Sequence, residues 1–298
     1  MPRASLEAGQ WAQAHPLLGS VNDGATRRYS GDIGQKWSLF CSGFRFGFCD
    51  MTAIAVVVAP WGVLMAADGR VAESDGSPPF DGAQKIIHIH DQGSERNAMY
   101  ALIGTVSTDG FDIRDEFLRQ TKTLSDYKCS DPCAYVGSVC ESVTSAVNEA
   151  RFFPESTDKT QTGRWKIVEA AFCGCFGPLV SVIVAELSHL NGLASFRISH
   201  YKEDSPVRLL IGPGKVCEEM YRQGDFAAIP NSRFSEYIYN LGPDPSVSQA
   251  RNFAVGYIEA CCSPLAACDT VGGHIHAATI KPRAGFKWII PPLPDVAG

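Results

Sequence analysis

A threonine, an aspartate and a lysine occur at spacings that could place them around one reaction centre. Thr52 begins an apolar run, Asp68 ends the run that returns after a turn, and Lys85 opens the next apolar segment. A threonine hydroxyl becomes a nucleophile when a nearby base takes its proton, and the free amine of an N-terminal threonine can be that base. The three residue types therefore predict a threonine nucleophile, on condition that the chain before Thr52 is removed.

The apolar run after Thr52 has the pattern of a β-hairpin. Ala53–Val58 is continuously apolar, which is typical of a strand covered on both faces. A turn at Ala59–Gly62 places Thr52 opposite Gly69, one step from Asp68. The face that Asp68 takes stays open at this stage, because a slip of one residue would invert it.

The elements that follow the hairpin predict a layered fold. Strands are predicted at 85–90, 99–104, 167–173, 180–187, 195–200, 207–211, 274–280 and 286–290, and helices at about 112–124, from 132, after 212–214, and at 247–262. The order ββββ, αα, ββββ, αα, ββ fits two sheets packed face to face with helix pairs outside. We therefore expect an α+β fold, a four-layer αββα sandwich, formed by residues 52–298 as one domain.

The composition narrows the class of protein. The chain has 298 residues, of which 45% are hydrophobic and 19% charged, so a sizeable core is expected. The formal net charge of −6 and the scattered basic residues argue against a nucleic-acid or membrane-surface binder, and no apolar stretch is long enough to cross a bilayer. Eleven cysteines at irregular spacing favour free thiols in a reducing, cytoplasmic compartment.

Three short motifs could suggest a metal, but none is favoured. Cys129-x-x-x-Cys133 has no second ligand pair of zinc-like spacing near it. The pairs His88-x-His90 and His274-x-His276 would form a four-ligand site only if their strands met, and we expect those strands in different sheets. The sequence predicts neither a metal nor a cofactor.

Residues 1–51 differ from the rest because no helical or strand periodicity persists in them. They are interpreted as a disordered extension, a propeptide, or residues that precede the true start of translation. Met51 supports the last interpretation, since an initiator methionine before a small residue is normally removed. Each interpretation leaves the state of the Met51–Thr52 bond as the deciding question.

Several motifs in this order resemble the N-terminal-nucleophile (Ntn) hydrolases, and in particular proteasome β-type subunits and their bacterial relatives. The motifs are Thr52 itself, Ala67-Asp-Gly-Arg70, Lys85-Ile-Ile-His-Ile89, the Gly-x-Gly of Leu209–Gly214, and the Gly-Gly hairpin within Val271–Ile289. The resemblance extends over about 240 residues, so it is more specific than any one motif.

The resemblance implies a threonine peptidase or amidohydrolase. It assigns the catalytic roles to Thr52, Asp68 and Lys85, and the oxyanion donor to the backbone N–H of Gly104. Supporting roles fall to Arg70, Gly212, Gly214, Gly272 and Gly273. It also implies a peptide or amide substrate and a homo-oligomeric ring. The residues do not indicate whether an ATPase partner exists.

The chain departs from the family at the positions that normally support the nucleophile. Pro213 stands where the family has serine between two glycines, and Val271 replaces another serine. Asp269 falls one position late against the glycine pair, so its family role is in doubt. Two alternatives therefore remain: an inactive structural subunit that keeps its N-terminal extension, and an amidase for non-peptide substrates.

Overall fold

The computed structural model describes residues 52–71, 77–90, 97–104, 107–108, 110–123, 131–150, 165–176, 179–190, 193–201, 208–225 and 232–294. The predicted extension, residues 1–51, lies outside these ranges, as does Cys129. The strands are β1 (Ile54–Ala59), β2 (Gly62–Ala67), β3 (Ile87–His90), β4 (Asn97–Gly104), β5 (Ser107–Thr108), β6 (Phe111–Asp112), β7 (Trp165–Phe176), β8 (Leu179–Leu190), β9 (Leu193–Tyr201), β10 (Arg208–Ile211), β11 (His276–Lys281) and β12 (Gly285–Ile290). The α-helices are α1 (Ile113–Thr123), α2 (Pro132–Glu149), α3 (Gly214–Asp225) and α4 (Val247–Cys262).

Ten of the strands form two antiparallel sheets of five. The first sheet has the order β10-β1-β2-β11-β12, and the second has the order β3-β4-β7-β8-β9. Strands β5 and β6 pair with each other in a small hairpin that the sequence pattern did not predict, because two residues are too few to show periodicity.

Alternating residues of β1 explain why its run is apolar throughout. Ile54, Val56 and Val58 pack between the two sheets, whereas Ala55 and Val57 face the helices outside the first sheet. Successive strand residues point to opposite faces, so a strand covered on both faces needs apolar residues at every position. Burial of each larger side chain contributes about 1.5–3 kcal/mol to folding.

The helices cover the outer faces of both sheets. Helices α3 and α4 pack on the first sheet, and α1 and α2 cover the second. The result is four layers in the order helices, sheet, sheet, helices, which confirms the predicted α+β αββα sandwich.

Capping residues mark the starts of two helices. Asp131 caps α2, with Pro132 at the first helical position, and the valines of this helix at 136, 139, 143 and 147 are buried. Helix α4 starts behind a capping box in which Ser246 and Gln249 bind each other's backbone N–H groups. Such caps depend on a few adjacent residues, which is why the sequence reveals them.

The predicted strands differ from the observed ones by one to three residues at one end or both, and two of these differences lie near the site. Lys85 precedes β3, which begins at Ile87, and His274 precedes β11, which begins at His276. In both segments the backbone binds residues distant in sequence in place of a neighbouring strand: Lys85 N–H donates to the His276 ring, and His274 N–H donates to the Asp81 carbonyl.

Candidate active site

The register of the β1–β2 hairpin brings Thr52 and Asp68 to the same end of the first sheet. Ile54 pairs with Ala67, as the predicted turn requires. Beyond that pair, Asp68 N–H donates to the Ala53 carbonyl at 3.3 Å, and Ala53 N–H donates to Asp68 Oδ1 at 2.9 Å. The structure therefore decides the face that the sequence left open: the Asp68 side chain points inwards and is fully buried.

Donors surround the Asp68 carboxylate. Its Oδ2 accepts the backbone N–H groups of Arg70 at 3.3 Å and Gly272 at 3.1 Å, and Lys85 Nζ lies 3.5 Å away. Burial raises the pKa of Asp68, while the Lys85 charge and the N–H donors oppose that rise. Because the contacts of both carboxylate oxygens are to donors, the arrangement suits the ionised form.

Lys85 joins this carboxylate to the threonine hydroxyl. Its ammonium group donates to Thr52 Oγ1 at 2.7 Å, and its side chain is only 8% exposed. A cation at this distance stabilises negative charge as it develops on the hydroxyl oxygen. The structure thus brings together the three residues that the sequence predicted as a catalytic set.

His276 is a site residue whose sequence motif suggested only a possible metal ligand. It is fully buried, and its Nε2 accepts the backbone N–H groups of Lys85 at 3.0 Å and Ile86 at 3.2 Å. It therefore holds the segment that carries Lys85. A histidine at the start of the apolar stretch His-Ala-Ala-Thr-Ile was the available signal, because a buried polar group needs a partner. Among the described residues no group of three or more possible ligands could hold a metal ion.

We expect the buried His276 to make the folded protein less stable in mild acid. Burial lowers its pKa from 6.5 to about 4, so the folded protein binds this proton less readily than the unfolded chain does. Its contribution is fully present above pH 6.5 and is lost as the pH falls towards 4. We expect the free energy of unfolding to drop by about 2 kcal/mol between pH 7 and pH 5 on this account.

Urea unfolding of the wild type and of His276→Gln at both pH values would measure this loss. Glutamine keeps an acceptor but does not titrate, so the difference between the two proteins isolates the imidazole. Titration of the His276 ring signal near pH 6.5 by NMR of the folded protein would contradict the prediction.

Arg70 clamps the loops around the site. Its Nε and Nη2 donate to the Asp81 carboxylate at 2.6 and 2.9 Å, and its Nη1 donates to the Asp269 carbonyl at 3.0 Å. The Arg70 hydrogen bonds lower the pKa of Asp81. Asp81 was not predicted from sequence, and Asp269 contributes its backbone carbonyl while its side chain is exposed.

The glycine pair Gly272–Gly273 begins directly against the Arg70 side chain. Gly272 donates its N–H to Asp68, and a Cβ atom at this position would lie 2.7 Å from Arg70 Cζ. Gly273 has a positive φ of +75°. Val271, which stands in place of the family's serine, is buried in the apolar core beside α4. It therefore supports the site by packing, without a hydroxyl group.

The Gly212–Gly214 turn packs beside the strand that carries Thr52. A Cβ atom on Gly212 would lie 3.4 Å from Ala53 Cα and 2.6 Å from Tyr257 Oη, so only glycine fits there. Pro213 is buried, and its carbonyl accepts the Cys217 N–H at 3.0 Å within the first turn of α3. Proline has no side-chain donor, so it cannot replace the hydroxyl of the family's serine.

A small open cavity lies in front of the threonine. Its empty volume, including the mouth, is about 420 Å³, and it is lined by Thr52, Val71, Lys85, Ile87, Leu102, Gly104 and Arg114. Arg114, which was not predicted, donates to the Gln84 carbonyl at 3.1 Å. The cavity therefore has a hydroxyl, two cations and an apolar wall, a lining suited to a carbonyl-containing substrate.

Replacement by alanine is expected to destabilise the protein at Gly104 but not at Gly214. Gly104 has a φ of +119°, and a Cβ atom there would overlap the Ile167 carbonyl oxygen. We expect Gly104→Ala to lower the free energy of unfolding by about 1–3 kcal/mol or more. A Cβ atom on Gly214 meets nothing within 4 Å, so Gly214→Ala should be nearly neutral. Thermal and urea unfolding of both variants measure the contrast, and equal effects would contradict it.

Two antiparallel sheets packed face to face, with helix pairs outside, form a proteasome-like Ntn fold. Solved structures with this fold include the Anbu complex of Pseudomonas aeruginosa, described as a helical assembly, at 12% identity and a TM-score of 0.54 over 82% of this chain and 88% of that one. Anbu, an ancestral β-subunit, from Yersinia bercovieri matches at 15% identity and a TM-score of 0.50 over 80% and 87%. No protein-family model and no curated protein matches the sequence.

These comparisons correct the predicted resemblance to proteasome β-type subunits. The similar structures are Anbu proteins, a related but different family. The motifs were misleading at this level because strand patterns and glycine turns reflect a fold that related families share. They do not distinguish one family with that fold from another.

In the part of the chain that the structure describes, no helix is long and apolar enough to cross a membrane. None of the eight cysteines described there is in a disulfide bond.

Proposed function

We propose that this protein hydrolyses peptide or amide bonds through Thr52, after the chain is cut between Met51 and Thr52. The observation that carries the proposal is the 2.7 Å contact of Lys85 Nζ with Thr52 Oγ1 at the wall of a cavity that Gly104 also lines. Asp68 completes the set as the partner of Lys85.

The proposed reaction uses the free amine of Thr52 as its base. An α-amine with a reference pKa of about 7.7–8.0 can take the hydroxyl proton near neutral pH. The neighbouring Lys85 charge favours the uncharged amine, and the same charge stabilises the oxygen as it attacks the substrate carbonyl. The Gly104 N–H is assigned to the oxyanion of the tetrahedral intermediate. The amine then passes its proton to the leaving nitrogen, and water cleaves the acyl ester.

Intact-mass measurement and N-terminal sequencing of the natively expressed protein test this proposal. The expected mature chain begins at Thr52. A chain that keeps residues 1–51 would contradict the proposal, because Thr52 would then lack the free amine. Incubation with peptide and with simple amide reporters would separate a peptidase from a non-peptide amidase.

A second candidate is an inactive subunit of an assembly. Two observations favour it: Pro213 cannot supply the hydroxyl that the family places there, and Thr52 is only 2% exposed. Retention of residues 1–51, together with an absence of hydrolysis, would support this candidate.

We also propose that the protein self-associates and is cytoplasmic. The Anbu complex of P. aeruginosa forms a helical assembly, whereas the sequence resemblance predicted a closed ring. Analytical ultracentrifugation and negative-stain microscopy would distinguish a monomer, a ring and a helix.

A further inference from the structure

A cysteine and a histidine meet on the second sheet, away from the Thr52 site. Cys133 Sγ lies 3.1 Å from His200 Nδ1, although the residues are 67 positions apart. Cys133 is on α2 and His200 on β9, the edge strand of that sheet, whereas Gly104 of the Thr52 cavity is on β4. Strands β4 and β9 are three positions apart in the order, or about 14 Å at the usual strand spacing.

The surroundings of Cys133 differ from those of a structural thiol. Cys133 is the second residue of an 18-residue helix, where the helix dipole favours negative charge, and the first turn contains no acidic residue. The carboxylate of the N-cap Asp131 accepts the Cys133 backbone N–H at 2.9 Å. Cys133 packs against the core of the second sheet, but both Cys133 and His200 are partly exposed.

Other cysteines in the described chain lack this combination. Burial raises the pKa of Cys217 to about 12, and that of Cys262 also to about 12. The thiols of Cys173 and Cys261 are fully buried or nearly so. Cys268 is partly exposed, but its Sγ contacts the Thr270 hydroxyl at 3.4 Å, which is a weaker base than imidazole.

We propose that Cys133 and His200 form a nucleophilic thiol site that peroxides and other soft electrophiles modify. His200 takes the thiol proton, and the thiolate attacks one oxygen of the peroxide. The S–O bond forms as the O–O bond breaks, so the sulfur is oxidised to a sulfenic acid while the peroxide is reduced. The departing hydroxide takes the proton from His200 and leaves as water.

Quantitative alkylation of the folded, full-length protein tests the site. The protein is treated with limiting iodoacetamide at pH 7, and the modified fraction of each cysteine is followed by mass spectrometry. Cys133 is expected to react at least about tenfold faster than Cys268, because the His200 imidazole beside Cys133 can take the thiol proton and the Thr270 hydroxyl beside Cys268 is a much weaker base. A parallel sample treated with hydrogen peroxide and dimedone should carry the sulfenic-acid adduct at Cys133.

Two histidine variants separate the role of the imidazole from general effects. His200→Gln should slow alkylation of Cys133 about tenfold, because glutamine cannot take the proton. His88→Gln, at a partly exposed histidine of the same sheet, should leave the rate unchanged.

A Cys133 rate no greater than that of Cys268 would overturn the proposal, as would an unchanged rate in a folded His200→Gln protein. If His200→Gln does not fold, the wild-type comparison with Cys268 still decides. In either case, Cys133→Ser should remove both the fast alkylation and the dimedone adduct.

Discussion

Thr52→Ala is expected to abolish amide hydrolysis and to leave the fold intact. In the proposed reaction this side chain supplies the attacking oxygen, so its loss should lower kcat/KM by at least about a thousandfold. The change removes one hydroxyl and one methyl at the end of the first sheet, which costs little stability. Turnover of a peptide reporter by the mature protein, with circular dichroism for the fold, measures both effects.

Thr52→Ser is the matched control for this prediction. Serine keeps the hydroxyl beside Lys85 Nζ and should retain part of the activity and the covalent labelling by a threonine-directed electrophile. Activity of the alanine variant within tenfold of the wild type would reject Thr52 as the nucleophile. If the chain nevertheless begins at Thr52, such a result would still support the cut before Thr52, but another residue would have to be the nucleophile.

Asp68→Asn is expected to be the most destabilising conservative change at this site. In either orientation the asparagine NH2 group would face donors: the Ala53 N–H at the Oδ1 position, or the Arg70 and Gly272 N–H groups and the Lys85 ammonium at the Oδ2 position. Lys85, 8% exposed, would also lose its counter-charge. Breaking one side of a buried ion pair costs about 3–5 kcal/mol. Urea unfolding should show this drop in the free energy of unfolding, and hydrolysis should fall with it.

Asp269→Asn provides the comparison at an exposed acid of the neighbouring loop. Its side chain is exposed and its backbone carbonyl, which binds Arg70, is unaffected by the change. We expect a shift within about 0.5 kcal/mol. A loss of less than 1 kcal/mol in Asp68→Asn would show that the buried carboxylate does not organise the site.

Features that depend on adjacent residues were predictable from the sequence. The turn at Pro60 set the β1–β2 register, Asp131 and Ser246 marked the starts of two helices, and the alternation of apolar residues revealed strands covered on both faces. Those elements in order were sufficient to predict the αββα layers. Each signal is a backbone or packing preference that acts over a few residues.

The tertiary structure decided the contacts between segments far apart in the chain. Gly272 N–H reaches Asp68 across 204 positions, and the His276 ring binds the Lys85 backbone across 191. No local preference specifies such pairs, because they arise only when the sheets stack and loops close around the buried carboxylate. The sequence by itself determined which residues could do chemistry and the order of the layers. Only the packed structure decided that Asp68 points inwards, because the hairpin register and the buried donors act together to set that face.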